Sequence, residues 1–413
     1  MTNFQLAAIV LTVTAALGYV NAKLLRLPSS VGLMAIALVG SLSLLAAGRL
    51  GIDVGADVRG LVTALDFSDT LLHGMLGLLL FAGALHIDVA SLGADKLVVA
   101  ALALGGTLLS TFLIGGAIQL VLGAIGMAIR PIDALLFGAL ISPTDPIAVL
   151  GVLKSVHAPQ KLETRIAGES LFNDGIGVVV FTTVVAIASG REVGAGEIAA
   201  VFAREALGGA AFGLATGYVA YRLVRSIDDY TVEVLITLAL VIGGYAAAEA
   251  IGVSAPLAAI VAGLVIGTRG PHVMSDQTRL YVESFWKLVD EVLNAVLFML
   301  IGVTILVLPF HRGMVTAALL AIPVVLAARW VSVAVPLTAL GRFRESTPHS
   351  IKILTWGGLR GGLSIAMALS LPPGGGRDLL LGMTYGVVAC SILVQGMTFG
   401  PLLRRLERRG QAR

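Results

Sequence analysis

Two aspartates lie inside otherwise apolar stretches of this chain. Asp174 occurs in the sequence GESLFNDG (168–175), and Asp145 occurs upstream in the sequence SPTDP (142–146). An ionisable side chain at membrane depth costs about 2.5–3.5 kcal/mol on insertion scales, so such residues persist mainly where they bind or relay ions. The two aspartates therefore indicate an ion-binding site that is held within lipid.

Asp174 shares one face of a predicted helix with three other polar residues. Glu169 and Asn173 are four residues apart, as are Ser170 and Asp174, and this spacing places all of them on one strip. Their carboxylate, amide and hydroxyl oxygens suit a small alkali cation or a proton. The alternative is hydrogen bonding between helices, which accounts for Ser170 and Asn173 but poorly for Asp174.

Two predicted helices are interrupted within the membrane. Prolines bracket Thr144 and Asp145, and the sequence GGLRGG (357–362) places Arg360 between two pairs of glycines. Paired interruptions in two inverted halves are typical of transporter ion sites. Half-helix ends carry partial charges, and Asp145 and Arg360 have the signs that would compensate them. For the first interruption, the alternative is a simple proline kink in which Asp145 caps the helical half that follows. For the second, the alternative is a tight turn in which Arg360 has a structural role.

A buried cation is predicted in a further segment. Arg329 lies midway along the apolar run LAARWVSVAVPL, where an unpaired arginine would be costly. Glu169 is the preferred partner, because that pairing leaves Asp174 free to titrate. Asp290, Glu291 and Asn294 occur early in another segment, and their position favours a solvated cytoplasmic helix end over a route for cation entry.

The elements that must position these residues are membrane-spanning helices. Of the 413 residues, 57% are hydrophobic and 13% are charged, and the mean hydropathy is +0.96; soluble domains carry about 25% charged residues. The composition therefore predicts an all-α polytopic membrane protein. Apolar spans of about 20 residues place thirteen segments near 4–22, 29–47, 70–87, 97–123, 131–154, 162–189, 197–224, 231–250, 255–270, 284–308, 313–340, 351–371 and 378–403.

The basic residues predict an orientation for these segments. Nineteen lysines and arginines follow odd-numbered segments, whereas six follow even-numbered ones. The positive-inside rule then places the N-terminus outside and the C-terminus in the cytoplasm. We expect a single transmembrane unit over 1–403 in the cytoplasmic membrane. The arginine-rich tail, 404–413, is predicted to be a cytoplasmic anchor near anionic lipid, with a regulatory site as the alternative.

Composition also excludes several classes of site. The single cysteine, Cys390, cannot form an internal disulfide or a cysteine-ligated metal centre. The histidines show no metal-ligand spacing, and no patch of basic and aromatic residues indicates nucleic-acid binding. We expect no cofactor beyond the transported ions.

Segments 1–6 and 8–13 are predicted to form two inverted six-helix repeats, whose broken segments, 5 and 12, cross.

At these residues the chain resembles sodium/proton antiporters of the NhaP/NHE type, within the monovalent cation–proton antiporter superfamily. The SPTDP, GESLFNDG and GGLRGG motifs and the segment around Arg329 carry the resemblance, which covers essentially the whole chain. It implies a thirteen-helix inverted-repeat fold and a homodimer. It also implies that a core domain, including about 70–189 and 284–371, moves against a dimerisation domain built from the remaining segments.

The resemblance implies a role for each residue of the polar strip. Asp174 would be the exchanging carboxylate, and Asn173 stands where electrogenic relatives carry a second aspartate. In this superfamily, an Asn-Asp pair is associated with electroneutral exchange of one cation for one proton. Glu169 would pair with Arg329.

The same resemblance implies ligands for the cation and one departure from the family. Na⁺ would bind at Asp174, Ser170 and Thr144, with Asp145 beside it. Some relatives carry an acidic residue in segment 3 that contributes to the ion site, whereas this chain has Ala82 in the matching stretch. Cation preference is therefore open.

The predicted function is secondary antiport of a monovalent cation for H⁺, a process that serves pH homeostasis. Na⁺ is the preferred cation, and Li⁺ is a further candidate. K⁺/H⁺ antiport by the same mechanism and a passive channel are alternatives. A remote alternative is an intramembrane aspartyl protease, in which Asp145 and Asp174 would share a proton.

Overall fold

A computed structural model of the chain is helical throughout the part that it describes. The described residues are 2–50, 60, 67–87, 89–155, 160–189, 194–308, 312–341, 349–372, 374 and 376–411. Within them, the one extended pairing is an isolated antiparallel bridge between Asp145 and Leu359. The all-α prediction is confirmed.

Seventeen helices are defined here in chain order. They are α1 (Asn3–Val20), α2 (Ser29–Arg49), α3 (Phe67–Leu85), α4 (Val89–Ala100), α5 (Thr107–Ala124), α6 (Pro131–Ile141), α7 (Ile147–Ser155), α8 (Gln160–Ala188), α9 (Ala195–Val224), α10 (Tyr230–Ala250), α11 (Ala255–Arg269), α12 (Asp276–Thr304), α13 (Arg312–Gly341), α14 (Ser350–Trp356), α15 (Gly362–Ser370), α16 (Arg377–Cys390) and α17 (Gly396–Gln411).

Ten helical stretches of the described chain are long and apolar enough to cross a membrane. Each predicted segment overlaps at least one helix, so the multi-pass prediction is confirmed; the number of crossings and the inverted repeats stay predictions. Short π-helical turns join α4 to α5 and α16 to α17. Helix α17 continues into the basic tail as far as Gln411. Five basic residues that entered the orientation count lie outside the described residues: Arg59, Arg191, Arg342, Arg344 and Arg413.

Helix α12 begins earlier than its apolar span predicts. The predicted segment starts at residue 284, whereas the helix starts at Asp276, where the Ser275 hydroxyl accepts a hydrogen bond from the Thr278 backbone N–H at 3.4 Å. Hydropathy alone missed the first turns because they are amphipathic, with charged residues on the outer face. This difference changes the position of every polar residue in the first half of the helix.

Segments 5 and 12 each divide into two helices, and the two breaks meet. Helix α6 ends at Ile141 and α7 begins at Ile147, while α14 ends at Trp356 and α15 begins at Gly362. The intervening backbone cannot continue either helix, because of prolines in the first break and glycines in the second. The Asp145 backbone N–H donates to the Leu359 carbonyl at 2.8 Å, and this bond joins the two breaks.

Small residues bring α11 against α3. A Cβ atom added at Gly263 would lie 2.8 Å from the Phe81 carbonyl oxygen, and one added at Gly267 would lie 3.0 Å from the Leu85 Cα. Only glycine permits this close approach of the two backbones. The largest apolar cluster packs around α6, α8, α15 and α16, and it surrounds the two breaks.

Candidate functional site

A cavity of about 160 Å³ lies where the two breaks, α3, α8 and α12 meet. Its polar lining includes Asp174 from α8, Thr144 and Asp145 from the first break, and Ser364 from α15. Leucines from α3 form much of its apolar wall. The cavity therefore gathers several of the residues that the sequence nominated for ion binding.

Asp174 presents a carboxylate to the cavity. Its side chain is half-buried and lines the cavity. Among the residues that the structure describes, none donates a hydrogen bond to this carboxylate. A carboxylate in mostly apolar surroundings and without a donor requires a positive partner.

Asn173 fixes the first break to α8. Its Oδ1 accepts from the Thr144 backbone N–H at 3.1 Å, and its Nδ2 donates to Thr144 Oγ1 at 2.8 Å. The Ser170 hydroxyl lies 3.1 Å from the same Thr144 oxygen. Ser170 and Asn173 do not themselves line the cavity. The amide of Asn173 is thus occupied in positioning Thr144 beside Asp174.

Glu169 and Arg329 form a buried bidentate ion pair. Arg329 Nη1 lies 2.5 Å from Glu169 Oε1, and Nη2 lies 3.1 Å from Oε2. The guanidinium also donates to the Leu354 carbonyl, at 3.3 Å from Nε and 3.1 Å from Nη2. The two charges neutralise each other. Glu169 therefore has a cationic partner, whereas Asp174, on the same helix, has no hydrogen-bond donor among the described residues.

Arg360 and Asp145 occupy the two breaks as complementary charges. The Arg360 guanidinium donates to the Ser142 carbonyl and, at 2.9 Å, to the Pro143 carbonyl, which follow the C-terminal end of α6. Asp145 Oδ1 accepts from the Ile147 backbone N–H at 2.9 Å, at the start of α7. Each side chain therefore satisfies backbone groups that the broken helix leaves open.

Helix α12 contributes to this cavity, which the sequence does not predict. Asp290 and Asn294 both line it. The helix begins at Asp276, so Asp290 lies about four turns inside it rather than at its solvated end. The prediction of a solvated helix end is therefore wrong for Asp290 and Asn294, whereas Glu291 is exposed. The spacing of Asp290 and Asn294 with Leu297, on one helical face, was the available signal.

A second buried ion pair was also missed. Arg165 Nη2 lies 2.9 Å from Asp95 Oδ2, and both side chains are buried. Arg165 is one of the nineteen basic residues that follow odd-numbered segments, but its side chain joins α8 to α4, one helical turn before Glu169. The sequence signal was weak, because a buried arginine near a segment end resembles an interfacial one.

Ala82 lies away from the cavity. It is fully buried in a cluster with Phe81, Ile266 and Trp286, on the side of α3 that packs against α11 and α12. The neighbouring Gly83 lines the cavity instead. An acidic residue at position 82 would therefore enter packed apolar side chains rather than the lining of the cavity.

The sequence comparisons decide the family. A family model described as the transmembrane sodium/hydrogen exchanger matches residues 9–405. The chain belongs to this exchanger family. It is 48% identical over 409 residues to the Na⁺/H⁺ antiporter NhaP of Pseudomonas aeruginosa, covering 97% of this chain and 96% of that protein. It is 36% identical over 394 residues to the Na⁺/H⁺ antiporter NhaH of Halobacillus dabanensis, covering 93% of each.

A solved structure supports the exchanger fold independently. The sodium proton antiporter MjNhaP1 from Methanocaldococcus jannaschii aligns with a TM-score of 0.74 over 97% of both chains, at 18% sequence identity. At this identity the likeness concerns the fold. The resemblance inferred from the sequence motifs is confirmed, and this family consists of secondary transporters rather than enzymes.

Proposed function

We propose that this exchanger moves Na⁺ in one direction and H⁺ in the other across the cytoplasmic membrane. The antiporters named above are the first support. The site supplies the second, and the observation that carries the proposal is the cavity-lining Asp174 carboxylate, which lacks a hydrogen-bond donor within the described chain. Neither K⁺/H⁺ exchange nor peptide hydrolysis is favoured by the named relatives.

Competition for one carboxylate accounts for coupling. Either one proton or one Na⁺ neutralises Asp174, so the two loaded states carry the same net charge. The bare carboxylate would cross a low-dielectric barrier only at a large desolvation cost. Exchange is therefore favoured over leak, and one cation moves for each proton.

The proposed Na⁺ ligands are Asp174 and the Thr144 hydroxyl, which line the cavity together with Asp145. The Ser170 hydroxyl is the third proposed ligand, and it would have to turn from Thr144 Oγ1, 3.1 Å away, to reach the cation. Oxygen ligands of this kind suit a hard monovalent cation. Asn173 acts as a positioning residue, because it holds both the backbone and the hydroxyl of Thr144.

The remaining charged residues hold the site together during alternating access. The Glu169–Arg329 pair joins α8 to α13, and the contacts of Arg360 join the second break to the first. We propose that the core domain, about 70–189 and 284–371, moves as one body against the remaining helices. In this arrangement the protein is a homodimer, with its N-terminus outside and its C-terminus in the cytoplasm.

Cation-driven proton flux in proteoliposomes tests the proposal. Native protein and Asp174→Asn are compared under an imposed pH gradient, with Na⁺, Li⁺ and K⁺ added in turn. Glu197→Gln serves as the control, because it removes the charge of an exposed acidic residue. We expect Na⁺ to collapse the gradient with native protein and Glu197→Gln, but not with Asp174→Asn, and we expect a clamped membrane potential to leave the rate unchanged.

Three outcomes would contradict parts of this proposal. Collapse by K⁺ alone would keep the mechanism and replace the cation. Normal exchange by Asp174→Asn, or no cation-coupled flux from folded native protein, would overturn the assignment of Asp174 or of antiport itself.

A further inference from the structure

Helix α12 supplies the ion cavity with a polar pair that the proposed exchange at Asp174 does not use. Asp290 and Asn294 lie one helical turn apart and line the cavity together with Asp145 and Asp174. Leu297, on the same face, continues the wall beside Gly362. The cavity therefore holds three carboxylates and one amide, contributed by α8, the first break and α12.

Asn294 carries an acceptor without a partner. Its side chain is 6% exposed, and its Nδ2 donates to Asp290 Oδ1 at 2.9 Å. The amide oxygen, Oδ1, has no hydrogen-bond partner in the part of the chain that the structure describes. The opposite amide orientation would bring that oxygen towards a carboxylate, so the observed orientation is the favourable one. A buried acceptor of this kind calls for a positive or hydrogen-donating ligand.

We propose that Asp290 and Asn294 form a second subsite for the transported monovalent cation, separate from Asp174. This inference rests on the proposed function, because the cation it binds is the one that Asp174 exchanges. The Asp290 carboxylate supplies the charge, and the Asn294 amide oxygen supplies a neutral ligand of the hard type that alkali cations prefer.

The position of this subsite indicates what it does. Asp290 lies towards the N-terminal end of α12 from Asn294, and that end is the cytoplasmic one in the predicted orientation. Clustered carboxylates within apolar walls attract cations and raise their local concentration. A cation held here is delivered to Asp174 from the cytoplasmic side, and its charge offsets the mutual repulsion of the three carboxylates.

This subsite also addresses the acidic residue that segment 3 lacks. Ala82 faces the cluster around Trp286, and the cavity side of α3 carries Gly83 and leucines. The third cavity carboxylate therefore comes from α12 in this chain. The subsite is a means of cation capture that does not require an acid on α3.

The Na⁺ dependence of exchange tests the subsite. Asp290→Asn and Asn294→Ala are compared in proteoliposomes with Glu291→Gln, the adjacent acid, which is exposed and 4.0 Å from the exposed Lys287. We expect the KM for Na⁺ to rise about tenfold in the first two variants with little change in kcat, the signature of lost binding that is common to ground and transition states. The control keeps its native KM.

Direct binding provides a readout that does not depend on transport. Radioactive Na⁺ is titrated onto detergent-solubilised Asp174→Asn protein and onto the Asp174→Asn/Asp290→Asn double variant. We expect saturable, weakened binding to the single variant and its loss in the double variant. Size-exclusion profiles matched to native protein establish that both variants are folded.

The outcomes separate this inference from the proposed function. Native KM values in both Asp290→Asn and Asn294→Ala, or complete loss of Na⁺ binding in Asp174→Asn alone, would overturn the subsite. An unchanged KM for Na⁺ with a shifted pH dependence would make Asp290 a proton relay, which also overturns it. Failure of exchange in native protein would instead contradict the proposed function, while the binding titration would still report on the subsite.

Discussion

At the scale of single residues, α8 carries two carboxylates in opposite situations. Glu169 is buried and satisfied by the Arg329 guanidinium, whereas Asp174 faces the cavity without a donor from the described residues. The first carboxylate has a counter-charge within the protein, and the second is the one that we propose exchanges ions. The same type of side chain therefore takes two roles because its partners differ.

Removal of the Glu169 charge should destabilise the protein. In Glu169→Gln, the buried Arg329 loses its counter-charge, and breaking a buried pair in this way costs about 3–5 kcal/mol. Thermal unfolding in detergent micelles measures the effect, with the exposed Glu197→Gln as control. A Glu169→Gln/Arg329→Gln double variant should melt no lower than Glu169→Gln. A native melting temperature for Glu169→Gln would contradict this interpretation of the pair.

The sequence predicts that a buried charge needs a partner better than it predicts which residue that partner is. A buried arginine requires an anion, which predicts a carboxylate partner for Arg329. Glu169 is preferred to Asp174 because that pairing leaves Asp174 free to titrate. The Asp95–Arg165 pair was not predicted, because Arg165 lies near a segment end where an arginine normally reaches the interface. Charge requirements can be read along the chain, whereas partner choice depends on packing.

At the scale of elements, two broken helices hold each other at the site. The Asp145 N–H reaches the Leu359 carbonyl, and the Arg360 guanidinium reaches the carbonyls that follow α6. Neither break satisfies its backbone alone. The prolines and glycines predicted the interruptions, and the reciprocal bonds explain why both are needed.

Arg360→Gln should loosen the first break. The substitution removes charged donors from the Ser142 and Pro143 carbonyls, and each lost charged hydrogen bond costs about 1.5–3 kcal/mol. We expect a lower unfolding temperature in detergent and slower exchange. Lys352→Gln, an exposed basic residue of α14, is the control. Unchanged melting and exchange in Arg360→Gln would show that the breaks do not depend on this side chain.

A methyl group at Gly361 should disturb the same contact. An added Cβ would lie 2.6 Å from the Asp145 Cβ, closer than side chains tolerate, whereas one at Gly74 would meet no atom within 4 Å. We therefore expect Gly361→Ala to slow exchange severalfold, while Gly74→Ala stays near native. Proteoliposome flux measures both. Native exchange by Gly361→Ala would mean that the breaks can separate without loss of function.

The start of α12 shows where element prediction failed. Apolar windows found the second half of the helix but not its amphipathic beginning at Asp276. Asp290 was consequently placed at a helix end, when it lies deep enough to line the cavity. Helical spacing, rather than mean hydropathy, would have given the better prediction.

At the scale of the whole molecule, the fold is that of the exchanger family, and the distribution of charge predicts the direction of insertion. Most basic residues follow odd-numbered segments, which predicts an outside N-terminus and a cytoplasmic C-terminus. Composition and periodicity were sufficient to predict a polytopic helical protein. They were insufficient to predict which helices surround the cavity, because lipid-facing and protein-facing apolar residues look alike in sequence.

Cysteine labelling tests the orientation. The single natural cysteine, Cys390, is replaced by serine, and one cysteine is then introduced at Gln411 in one variant and at Thr2 in another. In right-side-out vesicles, a membrane-impermeant maleimide should label position 2 but not position 411. Inverted vesicles should reverse the pattern. The opposite labelling would contradict the predicted orientation.

The central claim is that Na⁺ and H⁺ compete for Asp174. Calorimetric titration of Na⁺ onto detergent-solubilised protein, in buffers of different ionisation enthalpy, measures the protons released on binding. At a pH where the site is protonated, we predict the release of about one proton per Na⁺ from native protein and of none from Asp174→Asn. Na⁺ binding to native protein without proton release, or equal release from Asp174→Asn, would contradict exchange at this carboxylate.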